Sequence, residues 1–338
     1  MTSPTLSRRA FLRLAALGGI GIGIAIIQRN TAHLGAWNFI RWVLRAQLKR
    51  LSPAAVVGLG QCSSYSDNIL DCLRQVWMEA EMPDLRGKRI LVKPNLLDVV
   101  EGYPATTAPQ VVAAVLDLLA EMGVDEVTVG DGSAFRRDTY SVVESCGLSQ
   151  LLNARGVPFI DLNYDDPQPV PVRDGWIKSS DRLWLPQHVL QADYVISMPK
   201  LKTHHWTGVT LGLKNLLGVL PGGRYGWPKN MIHINAINAT ILGVYQVMPP
   251  VLSVVDGIVG MEGNGPMFGS PVQHGLLAVG SDAVAVDVVC AQLMGFALEE
   301  IAHLSVASWA GIGQTARIET RGADFSGLMR IYQRPPPL

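Results

Sequence analysis

Residues 89–92, 126–129, 158–162, 194–198, 251–255 and 276–279 are short, strongly apolar runs, and helical patterns lie between many of them. A short continuous apolar run suits a strand covered on both faces, because a strand with one wet face alternates apolar and polar residues. Between two such runs, residues 109–122 carry Val111, Val112, Val115, Leu116, Leu118 and Leu119 on one broad helical face, and residues 283–294 form a second helical pattern directly after the last run. The alternation predicts an α/β fold with a mainly parallel, doubly wound sheet and covering helices. The 338 residues are 48% apolar and 17% charged, which excludes a disordered chain. No apolar run reaches the ~18 residues of a membrane-spanning helix, which excludes an ordinary multi-span membrane protein.

The residues at the carboxyl end of each run carry the chemistry. The first run leads into Lys93-Pro94-Asn95, the second into Gly130-Asp131-Gly132-Ser133, and the fourth into Pro199-Lys200-Leu201-Lys202-Thr203-His204-His205. The fifth leads into Asp256-Gly257 and the sixth into Gly280-Ser281-Asp282. Open α/β sheets bind ligands outside the carboxyl ends of their strands, and parallel strands would bring all five tips to one edge. Asp282, just before a helix, also reads as an N-cap. Lys93 and Lys200 do not suit caps, since a cation at a helix N-terminus opposes the dipole.

The formal net charge of zero hides a segmented distribution. Residues 1–51 hold eight basic residues and no acid, while the remainder holds 20 basic and 28 acidic side chains. An acidic body argues against nucleic acid as a partner, because that affinity comes from cations meeting phosphates. Within the body, the 62 residues between Asp193 and Asp256 contain no Asp or Glu. They hold Lys200, Lys202, Lys214, Arg224 and Lys229 with His204, His205 and His233. Such a concentration of positive charge suits an anionic small molecule.

The basic leader has its own layout. Ser7-Arg8-Arg9-Ala10-Phe11-Leu12-Arg13 precedes an uncharged apolar stretch from Leu14 to Ile27, which resembles a twin-arginine export signal. The cleavage site is poor, so residues 1–36 are expected to act as a signal or to stay as an anchor. Over residues 37–51, Trp37, Ile40, Leu44, Leu48 and Leu51 share one helical face, and Arg41, Arg45 and Lys49 form a second stripe. A basic amphipathic helix suits an anionic membrane surface. The competing expectation is a helix packed on the body through its basic side. Residues 52–338 are then the α/β domain, as one unit or two subdomains.

The four cysteines, Cys62, Cys72, Cys146 and Cys290, show neither zinc nor ferredoxin spacing. P-loop, nucleophile-elbow, zincin and Rossmann glycine motifs are absent. The candidate ligand-binding residues are Lys93, Asn95, Lys200, Lys202, Thr203, Lys214, Asn215 and Asp256. Lysines would hold the anion, with Asn95 and Thr203 orienting it. Candidates for proton transfer are Asp131, His204, His233 and Glu262, the last in the glycine-dense loop Gly260-Met261-Glu262-Gly263. Metal binding by the histidines is opposed by the nearby lysines.

Lys93-Pro94-Asn95, Thr107-x-Pro109, Gly130-Asp131, Pro199-Lys200-Leu201-Lys202-Thr203-His204, Lys214-Asn215-Leu216-x-Gly218, His233, Asp256-Gly257, the 260–266 loop and Asp282-x-x-Ala285-x-Asp287 together resemble the domain of unknown function 362 family. The resemblance spans roughly residues 55–315 and implies the same α/β fold. Many members of that family carry an added iron–sulfur module. This chain lacks the cysteine spacing for it, so no cluster is carried over and the cofactor stays unknown. The sequence therefore predicts an exported enzyme or cofactor-binding protein with an anionic small-molecule site at the strand ends, in the periplasm or on the outer face of the cytoplasmic membrane. The alternative is a non-catalytic partner of a membrane-bound redox system.

Overall fold

The computed structural model describes residues 36–133, 137–172, 176, 177, 180–226, 229 and 236–336, the first five by backbone alone. The export-signal reading falls on residues outside this set. The strands are β1 (Ala55–Gln61), β2 (Arg89–Pro94), β3 (Glu126–Asp131), β4 (Phe159–Asp161), β5 (Pro167–Pro171), β6 (Arg182–Pro186), β7 (Tyr194–Met198), β8 (Lys200–His204), β9 (Gly208–Thr210), β10 (Val251–Glu262), β11 (Ser270–Gly280) and β12 (Ile318–Gly322). The main sheet runs β12-β1-β11-β10-β7-β2-β3-β4, with β8 and β9 attached beside β10 and β5 paired with β6 apart.

Side chains alternate across this sheet, and both faces are covered. Ile90, Val92, Ile196, Met198, Leu252 and Val254 meet helices Ile69–Glu79 and Pro109–Glu121 on one face. Leu91, Val195, Val251 and Val255 meet helices Ile237–Val247 and Ala283–Leu293 on the other. Each such residue taken wholly out of water contributes ~1.5–3 kcal/mol. This is the mostly parallel, doubly covered α/β sheet that the alternating runs imply.

Along the path from β12 to β4, one strand breaks the parallel expectation. β11 runs antiparallel to both β10 and β1, while β10, β7, β2, β3 and β4 are mutually parallel. The end of β11 therefore points to the opposite edge, and Asp282 does not join the other strand tips. Its carboxylate caps the following helix, accepting from Val284 and Ala285 N–H at 3.1 Å, and lies 3.9 Å from Lys49. The residues after β7, read from the sequence only as the polar end of the fourth run, form β8, which extends beside the far half of the 12-residue β10.

The N-terminal amphipathic segment is the helix Ala36–Leu51. It docks on the helix Ala302–Ala310. Trp42 is buried and stacks on Trp176 with ring centroids 4.6 Å apart. Gly311, in the left-handed region with φ 66°, lets the backbones close: a Cβ there would lie 2.5 Å from Ala46 N. Arg45 and Lys49 lean onto the body, and Leu44, Leu48 and Leu51 face outward with 59%, 69% and 78% of their surface exposed. Among the described residues no helix is long and apolar enough to cross a membrane.

Candidate functional site

The parallel strands bring Lys93, at the end of β2, beside Asp131, at the end of β3. Their Nζ and Oδ1 atoms lie 2.6 Å apart with both side chains buried. Lys93 also donates to Asn215 Oδ1 and to the Pro94 carbonyl, each at 3.0 Å. Asp131 accepts from the N–H groups of Leu96 at 2.7 Å and Gly132 at 2.8 Å. A buried ion pair is tolerable only when further hydrogen bonds satisfy both ions, and both have them here. Burial still pushes the Lys93 pKa down, with Asp131 opposing the shift.

Asn215 anchors the opposite wall. It lies in the short helix Gly212–Asn215, and its Nδ2 donates to the Lys93 carbonyl at 3.2 Å and to Ser197 Oγ at 3.0 Å. The N-terminus of this helix is held from a distance of 75 residues: Gly212 and Leu213 N–H donate to the buried Asp287 carboxylate at 2.7 and 2.9 Å. Asp287, raised to about 7 by burial, thus fixes the helix that carries Lys214 and Asn215.

These elements enclose a pocket of about 80 Å³ at the carboxyl ends of the strands. Four lysines line it, Lys93, Lys202, Lys214 and Lys229, with His204 and, among the described residues, the single carboxylate of Asp131. Burial depresses all four lysines. Lys202, with Lys214 and Lys200 adding repulsion, falls well below its ordinary value. Lys214 falls to about 8 with Lys93 as a second cause. Lys229 falls to about 7 although Asp131 opposes the shift. Lys202 donates to the Ala105 carbonyl, and Lys229 to the carbonyls of Gly132 and Gly218 at 3.0 Å each. His204 Nδ1 accepts from Trp206 N–H at 3.0 Å, which leaves the proton of the neutral ring on Nε2.

Among the described residues, two that line the pocket carry buried polar atoms without a partner: Asn95 Oδ1 and Thr210 Oγ1. Such atoms are rare in folded proteins and cost ~1–3 kcal/mol each when unpaired. Two glycines make the cluster sterically feasible. A Cβ on Gly218 would lie 2.4 Å from Asp131 Oδ1 and 2.7 Å from Lys93 Nζ, and one on Gly132 would lie 2.6 Å from Asn163 Oδ1.

Of the residues singled out in the sequence, Lys93, Asn95, Asp131, Lys202, His204, Lys214 and Asn215 meet at this pocket. Four others are engaged elsewhere. Lys200 Nζ and Tyr65 OH both bond the buried Asp256 carboxylate, at 2.9 Å each, and Lys200 also meets the Tyr65 hydroxyl. Asp256 accepts a third bond from Ala108 N–H at 2.9 Å, so this trio pins the start of the helix Pro109–Glu121. Thr203 Oγ1 donates to the Gly263 carbonyl at 3.0 Å, and Glu262 accepts from Gln333 N–H at 2.8 Å. His233 lies outside the described residues. Sequence reasoning missed Lys229, Thr210, Gly132 and Gly218 as lining residues; Lys229 was visible only as a member of the acid-free stretch. Lys229 also has φ 64°, a strained region for a residue with a Cβ. Among the described residues no group of His, Cys, Asp or Glu could hold a metal ion.

A wider depression of about 550 Å³ lies at the opposite edge, by the amino ends of β2 and β3. Its arginines are already paired, Arg89 with Asp193 and Arg155 with Asp117, near solvent. It offers no buried ionisable group comparable with the lysine pocket.

Fold and pocket define an α/β protein with a lysine-lined cavity at its strand ends. The family model described as Domain of unknown function (DUF362) matches residues 90–292, and the chain belongs to that family. A thylakoid-associated protein of Synechocystis sp. is 34% identical over 237 residues, which cover 68% of this chain and 70% of the relative. Among solved structures, the lactate racemase apoprotein of Thermoanaerobacterium thermosaccharolyticum aligns with a TM-score of 0.44 and 12% identity over 72% of this chain. The chain spans 57% of that structure's length.

Proposed function

We propose that this protein binds a small anion, or the anionic group of a larger molecule, in the lysine pocket and handles protons on it. The observation that carries the reading is the convergence of Lys93, Lys202, Lys214 and Lys229 on one buried space with a single carboxylate among the described residues. An oxyanion there would offset the repulsion that depresses the lysines, and could accept bonds that water cannot make as strongly. At about 80 Å³ the space suits a phosphate-, sulfate- or small carboxylate-sized group and is well below the ~300 Å³ of a typical drug-sized site. Lys202, Lys214 and Lys229 bind the anion, Lys93 is positioned by Asp131 and Asn215, and Asn95 Oδ1 accepts from a protonated or hydroxyl group of the ligand. His204 Nε2–H supplies a proton donor at the rim.

The same proposal extends to location. The twin-arginine-type leader supports export, and the outward Leu44, Leu48 and Leu51 support contact with a membrane surface. The thylakoid association of the relative agrees with a membrane-side role. The alternative of a non-catalytic partner for a redox complex would leave the lysine pocket without a task.

A thermal-shift series with sulfate, phosphate, acetate, oxalate and their sodium chloride controls tests the anion reading. Stabilisation by one anion class in the wild type, and its loss in Lys202→Met, is the expected result. Equal shifts from chloride at matched ionic strength would overturn it.

A further inference from the structure

The four pocket lysines are not held alike. Lys93 is engaged by Asp131, Asn215 and the Pro94 carbonyl; Lys202 by the Ala105 carbonyl; and Lys229 by the carbonyls of Gly132 and Gly218. Among the described residues no hydrogen bond or ion pair holds the amino group of Lys214. Its backbone is nonetheless fixed, because it sits between Leu213, whose N–H is held by Asp287, and Asn215, which is bonded to Lys93 and Ser197. A lysine with a rigid backbone, no partner for its amine and cationic neighbours is the arrangement that activates an amine nucleophile.

We infer that Lys214 forms a reversible imine with a small carbonyl compound that carries an anionic group, such as a 2-oxo acid. This rests on the anion reading of the pocket and narrows it: Lys202 and Lys229 hold the anionic group of the carbonyl compound, while Lys214, which joins them around a simple anion, serves as the amine. The neutral Lys214 amine forms a C–N bond to the carbonyl carbon. The carbonyl oxygen leaves as water with the two amine protons, and the imine nitrogen takes up one proton. No oxidant or reductant enters. The resulting iminium draws electron density from the adjacent carbon, which is the basis of proton abstraction or C–C cleavage by lysine enzymes. Burial and the Lys93 charge, which bring Lys214 down to about 8, keep part of it neutral near pH 7. Lys229 sits at a similar value, but attack from it would cost its two carbonyl bonds. The unpartnered Asn95 Oδ1 and Thr210 Oγ1 line the same space and are available to the carbinolamine hydroxyl.

The experiment is reductive trapping of the full chain with cyanoborohydride and pyruvate or glyoxylate, followed by intact mass and peptide mapping. One adduct per chain on Lys214, suppressed by sulfate, is expected. Lys214→Arg keeps the charge but cannot form an imine, and a folded variant by circular dichroism should lose the adduct. An adduct on Lys229, or one spread evenly over surface lysines, would overturn the inference. If sulfate stabilises the protein and no adduct forms on Lys214, the inference fails and the anion reading stands. If neither is seen, both fail.

Discussion

Lys93 and Asp131 form a fully buried ion pair, Nζ to Oδ1 at 2.6 Å, at the tips of neighbouring parallel strands. Removing one charge leaves the other without compensation in the interior. Asp131→Asn is therefore expected to destabilise the protein by ~3–5 kcal/mol. Urea denaturation would show this as a lower midpoint with an unchanged slope. A wild-type midpoint would mean the pair contributes nothing to the fold.

Gly218 presses its Cα against the same pair. Gly218→Ala places a methyl 2.4 Å from Asp131 Oδ1, so the carboxylate or the 216–219 turn must move. Overpacking of this kind costs ~1–3 kcal/mol. The variant should also lose the anion-dependent thermal shift, since the displaced Gly218 carbonyl holds Lys229. Retention of the full shift would show that the carbonyl does not shape the site.

The pocket lysines set a pH dependence whose sign follows from their direction of shift. Lys214 and Lys229, at about 8 and 7 when folded, lie below their ordinary value of 10.5. Their contribution to ligand-free stability is full above that value and is lost as pH falls through 8 and then 7. A bound anion favours the charged amines, so binding takes up protons and weakens as pH rises past 8. Sulfate, whose charge is constant here, should raise the melting temperature more near about pH 6 than near about pH 9. The reverse order would mean that these lysines do not carry the binding.

Leu44, Leu48 and Leu51 face solvent and touch little of the body. Replacing all three with Ser should leave stability within ~0.5 kcal/mol. Each leucine that inserts into an interface contributes ~1.5–3 kcal/mol, so partitioning onto anionic lipid vesicles should fall by at least about tenfold. Equal partitioning of variant and wild type in a sedimentation assay would remove the membrane-surface proposal.

The apolar runs of β2, β3, β7 and β10 were legible because a covered parallel strand has almost no polar residues. β8 was not, since Lys200-Leu201-Lys202-Thr203-His204 buries lysines, and buried lysines are rare enough that the pattern reads as a loop. The direction of β11 was hidden: the apolar runs 251–255 and 276–279 leave 20 residues between them, enough for a parallel crossover, and only the folded chain extends both strands until 263–269 alone joins them. Lys93, Asn95, Asp131, Lys202 and His204 reach the pocket because the ends of the apolar runs were the right guide, whereas Lys214 and Asn215 come to it on the short helix within the acid-free stretch. Lys200 and Asp256 were beyond reach, as their partner is Tyr65, almost 200 positions away from Asp256 in sequence, and only the folded chain brings it near. The role of Asp287 was hidden in the same way, since the Gly212 and Leu213 N–H groups it holds lie 75 and 74 positions away in sequence.

Crystals of the protein soaked in phosphate test most directly whether the lysine pocket takes an anion. Tetrahedral density within hydrogen-bonding distance of Lys202, Lys214 and Lys229, close to Asn95, is the predicted result. Density on surface arginines alone, with water filling the pocket, would contradict it.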